Sequence, residues 1–522
     1  MHAAIDTPIT LESPFTTLPA LIALHAVERP EHPALIQDGQ VLNYHQLNDL
    51  ADKAAAALQR DGLVPGSSVA ICAANSINYA VLFLGALRAG VVVAPLAPSS
   101  TPESLLVMLK DSAAGLLFAD QASLTALEHV REQAAIPIWS LDDSLDGARF
   151  SDWLADAKPA PVELNAEMFF NIIYSSGTTG EPKGIVQSHG MRWAHIQRGI
   201  VFGYGPDCVT LISTPLYSNT TLVSFLPTLG LGGTVVLMSK FDAAAYLRLA
   251  EQHAVTHTML VPVQYQRIMA REDFEKHDLS SFKIKFSTSA PFHAELKADI
   301  LARWPGGLVE FYGMTEGGGS CMLAAHEHPT KLGTVGKPLE NHDMRVIDEE
   351  GKELPRGEIG EVVGHSPAMM TGYLNKPEKT AEAEWYDQTG KRFIRTGDVG
   401  RFDEDGFLTL MDRRKDMIIS GGFNIYPSDL EQELRQHPDL LEVTVIGVQS
   451  RSWGETPVGY AVARPGAKVQ PQQVLEWFNQ RVGKTQRLNR LILCDELPRS
   501  AIGKVLKREL RDAFQSKFGT LD

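Results

Sequence analysis

Between residues 68 and 263 the chain returns again and again to one kind of segment: SVAICAAN, GVVVAPL, AGLLFAD, FFNIIY, TVVLM and THTMLVPV. These runs are rich in Val and Ile and are bounded by Gly, Pro or Ser. Helix-length stretches such as DAAAYLRLAEQHA separate them. A continuous short apolar run is what a strand buried on both faces requires, and an intervening helix is the usual crossover between parallel strands. The pattern predicts an α/β fold with largely parallel, helix-covered sheets. One helix is legible in detail: NYHQLNDLADKAAAALQ puts Tyr44, Leu47, Leu50, Ala51, Ala54 and Leu58 on one face, with Asn43 as its cap.

From about Val335 the texture changes. EEG, PRG and DEDG supply turn signals between short strands, which predicts antiparallel hairpins. The last hundred residues read as a small α/β unit: helix PSDLEQELRQHP, strands EVTVIGV and GYAVARP, helix PQQVLEWFNQRV. Five consecutive charges in DRRKD suit a surface connection, so the expected division is residues 1–412 and 413–522.

A chain of 522 residues exceeds one simple core and suggests two to four domains. Its 48 basic and 63 acidic residues give a net charge of −15 without a Lys/Arg stripe, which argues against nucleic acid as a main partner. Cys72, Cys208, Cys321 and Cys494 lie far apart with no CxxC pairing, as in a reduced cytoplasmic protein without a zinc or disulfide framework. The N-terminus lacks a signal-peptide pattern. The longest apolar stretch, YAVLFLGALRAGVVVAPLAP, is interrupted by Arg88 and two prolines; it reads as a helix feeding a buried strand, not a membrane span.

After FFNIIY the chain empties into SSGTTGEPKG. Glycines let a backbone approach a ligand closely, and N–H and hydroxyl donors with one lysine suit phosphate oxygens. The Walker A pattern does not fit: Pro182 precedes Lys183 and Gly184 follows it, so the magnesium-binding hydroxyl is missing. Further along stand FYGMTE with Glu316, RTGD with Asp398, MDRRKDMIISGGFNIYPSDLE, and LPRSAIGKVLKREL with Lys504. Taken singly, each has a plain structural reading as strand end, turn or surface charge.

Together and in this order they resemble the adenylate-forming superfamily of acyl- and aryl-CoA synthetases, adenylation domains and luciferases, over residues 25–515. The IISGGFNIYPSDLE wording looks most like the acyl-CoA synthetases. The resemblance implies a large N-terminal domain of βα-layered sheets with a small β-barrel-like part, followed by a small mobile α+β C-terminal domain. It also implies two half-reactions: a carboxylate attacks the α-phosphate of ATP, with Mg²⁺, to give an acyl-adenylate and pyrophosphate; the CoA thiol then displaces AMP.

Carried over by motif position, Thr178, Thr179 and Lys183 would cradle the β- and γ-phosphates. Tyr312 and Gly313 would meet adenine, with Ser289, Ala290 and Pro291 at its edge. Thr315 would touch the α-phosphate and Glu316 would hold Mg²⁺. Asp398 would accept both ribose hydroxyls, with Arg413 nearby. Lys504 would bridge carboxylate and α-phosphate during adenylation only, Lys415 would be the hinge, and Gly421 and Gly422 would face the thiol tunnel.

The chain departs from the family where many CoA synthetases carry an aromatic followed by histidine: here Tyr217 is followed by Ser218, so that histidine's gating role does not transfer. STS stands before APF where relatives often have glycine. His189 and His293 read as structural, hydrogen-bonded histidines. Acyl-pocket candidates are Tyr217 to Thr221, including Asn219, together with Ser287 to Ala290 and the GGGSCM run with Gly317 and Gly318. The three glycines of that run either deepen a pocket or merely turn the chain. None of these segments contains an arginine, which argues against a dicarboxylate, and an aryl or hydroxycinnamic acid is favoured over a fatty acid. The rival reading is a stand-alone adenylation enzyme loading a carrier protein, but an amino-acid substrate would need an acid among residues 217–221, and all are neutral. Assembly is left open, a homodimer included.

Overall fold

The computed structural model describes residues 9–176, 182–413, 416–420, 423–500 and 503–521. The apolar runs form strands of two sheets, mostly parallel inside. In one, Ser68–Cys72 lies between Val92–Pro95 and Ala114–Ala119, all parallel, and Phe169–Ser176 continues the sheet beside Val92–Pro95. In the other, Gly307–Gly313, Ile284–Ser287, His257–Leu260, Val209–Ile212, Thr234–Leu237 and Pro33–Gln37 are parallel neighbours in that order. Antiparallel strands Ser320–Ala324 and Gln40–Asn43 flank these. Ser68–Cys72, Val92–Pro95, Thr234–Leu237 and His257–Leu260 are buried at every position, which is why they read as unbroken apolar runs.

The helix read around Asn43 spans Tyr44–Arg60 and starts with a reciprocal cap, Asn43 and Gln46 each accepting from the other's backbone N–H. Its expected inner face is buried, except that Leu50 is only half-buried. The next helix, Ile77–Arg88, crosses it so closely that a Cβ at Gly85 would lie 2.6 Å from the Ala54 Cβ. Arg88, which interrupts the apolar stretch, pairs with Asp52 at 2.6 Å and donates to Asn48 at 2.8 Å. The stretch therefore forms the expected helix and buried strand. Among the described residues no helix is long and apolar enough to cross a membrane.

The chain groups into two compact units, residues 1–332, 338–343 and 365–394, and residues 333–337, 344–364 and 395–522. The 412/413 division expected from DRRKD falls inside the second unit, at the end of strand Leu408–Arg413. Lys415 lies outside the described residues. In the second unit residues 398–402, the end of strand Arg392–Phe402, turn back on Leu408–Arg413 through DEDG as an antiparallel hairpin. Its C-terminal part carries the long hairpin Leu440–Ser450 with Gly454–Ala463, and Arg490–Leu493 runs parallel to the latter. Helices Pro427–Leu434, Pro471–Asn479 and Lys507–Phe518 bury Leu430, Leu434, Val474, Phe478, Leu510 and Phe514. The whole is mixed α/β, large at the N-terminal end and small at the C-terminal end.

Candidate active site

In the first unit the phosphate-loop candidate connects two antiparallel strands, Phe169–Ser176 and Pro182–Ser188, with Ser175 opposite Lys183. Thr178 and Thr179 lie outside the described residues. Lys183 Nζ is 5.0 Å from the centre of the Tyr373 ring, and the Tyr373 hydroxyl donates to Glu316 Oε1 at 2.7 Å. Burial, then the Glu316 carboxylate, push the Tyr373 phenol far up, so it stays a protonated donor. Gln187 on the second strand donates to the Thr315 carbonyl at 2.8 Å. Lys183, Thr315 and Glu316 are thus brought together, 132 or more residues of chain being bridged through Gln187 and Tyr373.

Tyr312 and Gly313 end strand Gly307–Gly313, and Thr315 and Glu316 form the turn after it. The turn is tied down from outside: Met370 N–H donates to the Glu316 carbonyl at 2.8 Å and Ser366 Oγ to the Gly317 carbonyl at 2.6 Å. Gly317 and Gly319 have φ of +74° and +80°. A Cβ on Gly317 would come 2.1 Å from the Ala368 carbonyl oxygen. The missing side chain at Gly317 therefore serves the turn; backbone fills the space that a deeper pocket would need.

Ser289, Ala290 and Pro291 follow strand Ile284–Ser287. Ser289 sits at φ +79°, where a non-glycine residue is strained, and its hydroxyl meets Thr220 Oγ1 at 2.6 Å. The structure thereby joins two acyl-pocket candidates, the STS segment and residues 217–221. Ser218, in the histidine position, caps helix Asn219–Gly230. Burial lifts the Tyr217 phenol to about 12. His189 is buried against Phe170, with ring centres 5.1 Å apart, and burial lowers it to about 4, which makes it a neutral packing residue.

Arginine does reach this region, from a different element. On helix His189–Val201, Arg192 donates to Asn171, Gln187 and Asn219, the last at 2.8 Å. Arg198 lies over the Phe311 ring at 5.3 Å. The argument against a dicarboxylate, drawn from the acyl segments alone, therefore loses its basis. The signal in the sequence is the spacing R192xxH195xxR198, a stripe of i, i+3 neighbours.

In the second unit Asp398 is paired opposite Arg413 across the hairpin, after Gly397 at φ +70°. Lys504 follows Gly503 at φ +76°. Its N–H donates to Ser500 Oγ at 3.2 Å, and its carbonyl accepts from Ser500 N–H at 2.8 Å. Arg499 pins this loop, donating to the Gly503 carbonyl at 2.7 Å and to Glu442 at 2.6 Å. Gly421 and Gly422 lie outside the described residues.

The AMP-binding enzyme family matches residues 22–374, and the AMP-binding enzyme C-terminal domain matches residues 429–504. The chain belongs to the AMP-binding, adenylate-forming enzymes. It is 33% identical over 492 residues to a feruloyl-CoA synthase of Amycolatopsis sp, covering 93% of this chain and 96% of that protein. It is 30% identical to 4-coumarate–CoA ligase 5 of Oryza sativa subsp. japonica, covering 91% and 89%. ATP-bound MatB from Rhodopseudomonas palustris superimposes with a TM-score of 0.86 at 30% identity, covering 96% of this chain and 99% of that one. This AMP-forming acyl-CoA synthetase takes a small-molecule acid, ATP and CoA as its substrates.

Sequence reasoning missed Tyr373, Gln187 and the basic stripe of this synthetase, because each acts on a partner remote in sequence. The Gly317 geometry carries a prediction. Gly317→Ala adds both a left-handed alanine and a backbone clash, and should lower stability by about 1–3 kcal/mol and reduce kcat/KM for ATP about tenfold or more. Gly203→Ala, at φ +77° with nothing within 4 Å of its Cβ, is the control that carries only the backbone strain. Equal thermal shifts and unchanged ATP kinetics in both variants would contradict the packed-turn reading.

Proposed function

We propose that this acid–CoA ligase forms its acyl-adenylate on the turn that carries Thr315 and Glu316, and that its acid is aryl or hydroxycinnamic. The observation that carries the reading is the meeting of Lys183, Thr315 and Glu316 through Tyr373 and Gln187. Lys183 supplies positive charge to the departing pyrophosphate, with Thr178 and Thr179 as its expected partners. Tyr312 and Gly313, with Ser289 to Pro291, hold the adenine. Asp398 binds the ribose as a two-oxygen acceptor, with Arg413 beside it.

Among the described residues no group of three or more His, Cys, Asp or Glu could cage a metal. Mg²⁺ that arrives on phosphate oxygens needs only one or two protein carboxylates, and Glu316 fits that requirement, its Oε1 already oriented by Tyr373. Bound there, Mg²⁺ would screen the repulsion between the acid's carboxylate and the triphosphate. Lys504 neutralises the same charge during adenylation, and a mobile C-terminal segment turning about Lys415 then presents Gly421 and Gly422 to the CoA thiol. The names of the feruloyl- and coumarate-using relatives support the aryl assignment. The four cysteines, all free thiols, suit a reducing, cytoplasmic setting.

The test is pyrophosphate release that depends on an added aryl acid and proceeds to acyl-CoA when CoA is supplied. Release with hydroxylamine but no CoA thioester would favour carrier-protein loading instead. In the same assay Asp398→Ala should raise the KM for ATP about tenfold or more, with a smaller change in kcat. An unchanged KM would remove Asp398 from the nucleotide site.

A further inference from the structure

Helix His189–Val201 carries a concentration of positive charge that the adenylation reading does not use. Arg192, His195 and Arg198 recur every three residues and so form one stripe. Arg192 is buried and satisfied by side-chain amide oxygens. Arg198 differs. Among the described residues it has no hydrogen-bond or ion-pair partner; its contact is the face of Phe311, 5.3 Å away.

The groups that act electrostatically on this stripe are basic or neutral. His195 feels Arg198, Arg192 and His342; His342 feels Arg198 and His365; Arg198 feels only the Tyr204 phenol. No carboxylate is among them. Burial pulls Arg198 down to about 10 and His342 to about 4, so at neutral pH the guanidinium is charged and the imidazole is not. The Nδ1 atom of His342 is buried without a hydrogen-bond partner. Arg198 and His195 are half-buried and keep part of their surface accessible. A half-buried cation with no carboxylate beside it is stabilised when a ligand supplies the counter-charge.

The stripe adjoins the acyl-pocket candidates. Arg192, at one end of the stripe, holds Asn219, and its other partner Gln187 holds the Thr315 carbonyl. Phe311, under Arg198, pairs with Met322 of the GGGSCM run. His342 lies in the loop whose Leu339 N–H bonds to the Ser320 carbonyl. From Arg192 to Arg198 is six residues, about 9 Å along the helix. That is on the order of the distance from the carboxylate of a phenylpropenoic acid to its para substituent.

We infer that the acid used by this synthetase carries, at the end remote from its reacting carboxylate, an oxygen bearing or readily taking negative charge, and that Arg198 with His342 reads it. The inference rests on the acid–CoA ligase reading and deepens it. A second carboxylate and a phenol oxygen share this chemistry. Arg198 is a specificity-determining contact for the substrate and takes no part in the transfer itself.

The experiment measures acid-dependent pyrophosphate release by the full chain with cinnamic, 4-hydroxycinnamic and 4-carboxycinnamic acids, and with octanoic and octanedioic acids. The wild type should favour the oxygen-bearing member of a pair at least about tenfold in kcat/KM. Arg198→Met should lower kcat/KM for that member roughly 10–100-fold while its unsubstituted partner changes less than about threefold. Either the hydroxy or the carboxy acid as the preferred partner supports the inference and distinguishes its two sources. Equal losses for both members, or a wild-type preference for the unsubstituted acid, would overturn it. If only the aliphatic pair turns over, the aryl assignment fails, and the ratio of octanedioic to octanoic acid still decides the role of Arg198. The wild-type ratios judge the inference even where Arg198→Met folds poorly, and Arg198→Lys, which keeps the charge, should retain part of the preference.

Discussion

Lys504→Ala is expected to lower the rate of acyl-adenylate formation by roughly 10²–10³-fold, the usual scale for removing one group that stabilises developing charge. Transfer of the acyl group from supplied acyl-adenylate to CoA should stay within a few-fold of the wild type. The asymmetry follows from the chemistry. Adenylation brings a carboxylate against a triphosphate and needs positive charge there, whereas thiolysis of the mixed anhydride releases AMP and has no such clash of anions. The local structure suits a positioned but adaptable cation. The Lys504 backbone is held at both its N–H and its carbonyl by Ser500, and Arg499 pins the loop to Glu442, while the long lysine stem can extend. Single-turnover measurement of each half-reaction checks this, and equal losses in both would refute the division of labour.

Lys297→Met is expected to cost about 3–5 kcal/mol of stability near pH 8, the range for breaking a buried ion pair from one side. Lys297 on helix Ala294–Arg303 pairs with Glu310 on strand Gly307–Gly313, and both side chains are at most 5% exposed. Burial raises the Glu310 carboxyl to about 7, and Lys297 pulls against that rise. In the variant the pull is gone and the folded-state value climbs further above the unfolded one of about 4.5. The folded state then binds more protons than the unfolded state above pH 4.5, so its stability falls as pH rises through that window. Urea midpoints should show a small deficit at pH 5 and a large one at pH 8, and Lys297→Met with Glu310→Met should recover much of the loss. A deficit independent of pH would show that lost packing, not the stranded carboxylate, sets the cost. Phe311 and Tyr312 directly follow Glu310, so the damage should also appear as weaker ATP binding.

Much of the architecture was written in local signals. Buried strands could be read because a parallel sheet covered on both faces demands unbroken apolar residues, and the Tyr44–Arg60 helix because Asn43 and Gln46 form a cap only three residues apart. The family's motifs were legible for a similar reason: Gly397, Gly503 and the turn glycines answer backbone requirements that are met within a few positions. Their arrangement into a site was not legible. Tyr373 reaches Glu316 across 57 residues, and Gln187 reaches Thr315 across 128. No spacing rule predicts such pairs, because their separation is set by how whole sheets and loops pack.

The acyl side shows the same division. The fold class, the family and the order of its motifs were decided by the sequence alone, since these rest on periodicity, turns and short contiguous patterns. Only the tertiary structure decided that Gly317 is a packed turn and that Arg198 stands over Phe311, because space and charge balance in an interior depend on neighbours that the chain supplies from elsewhere.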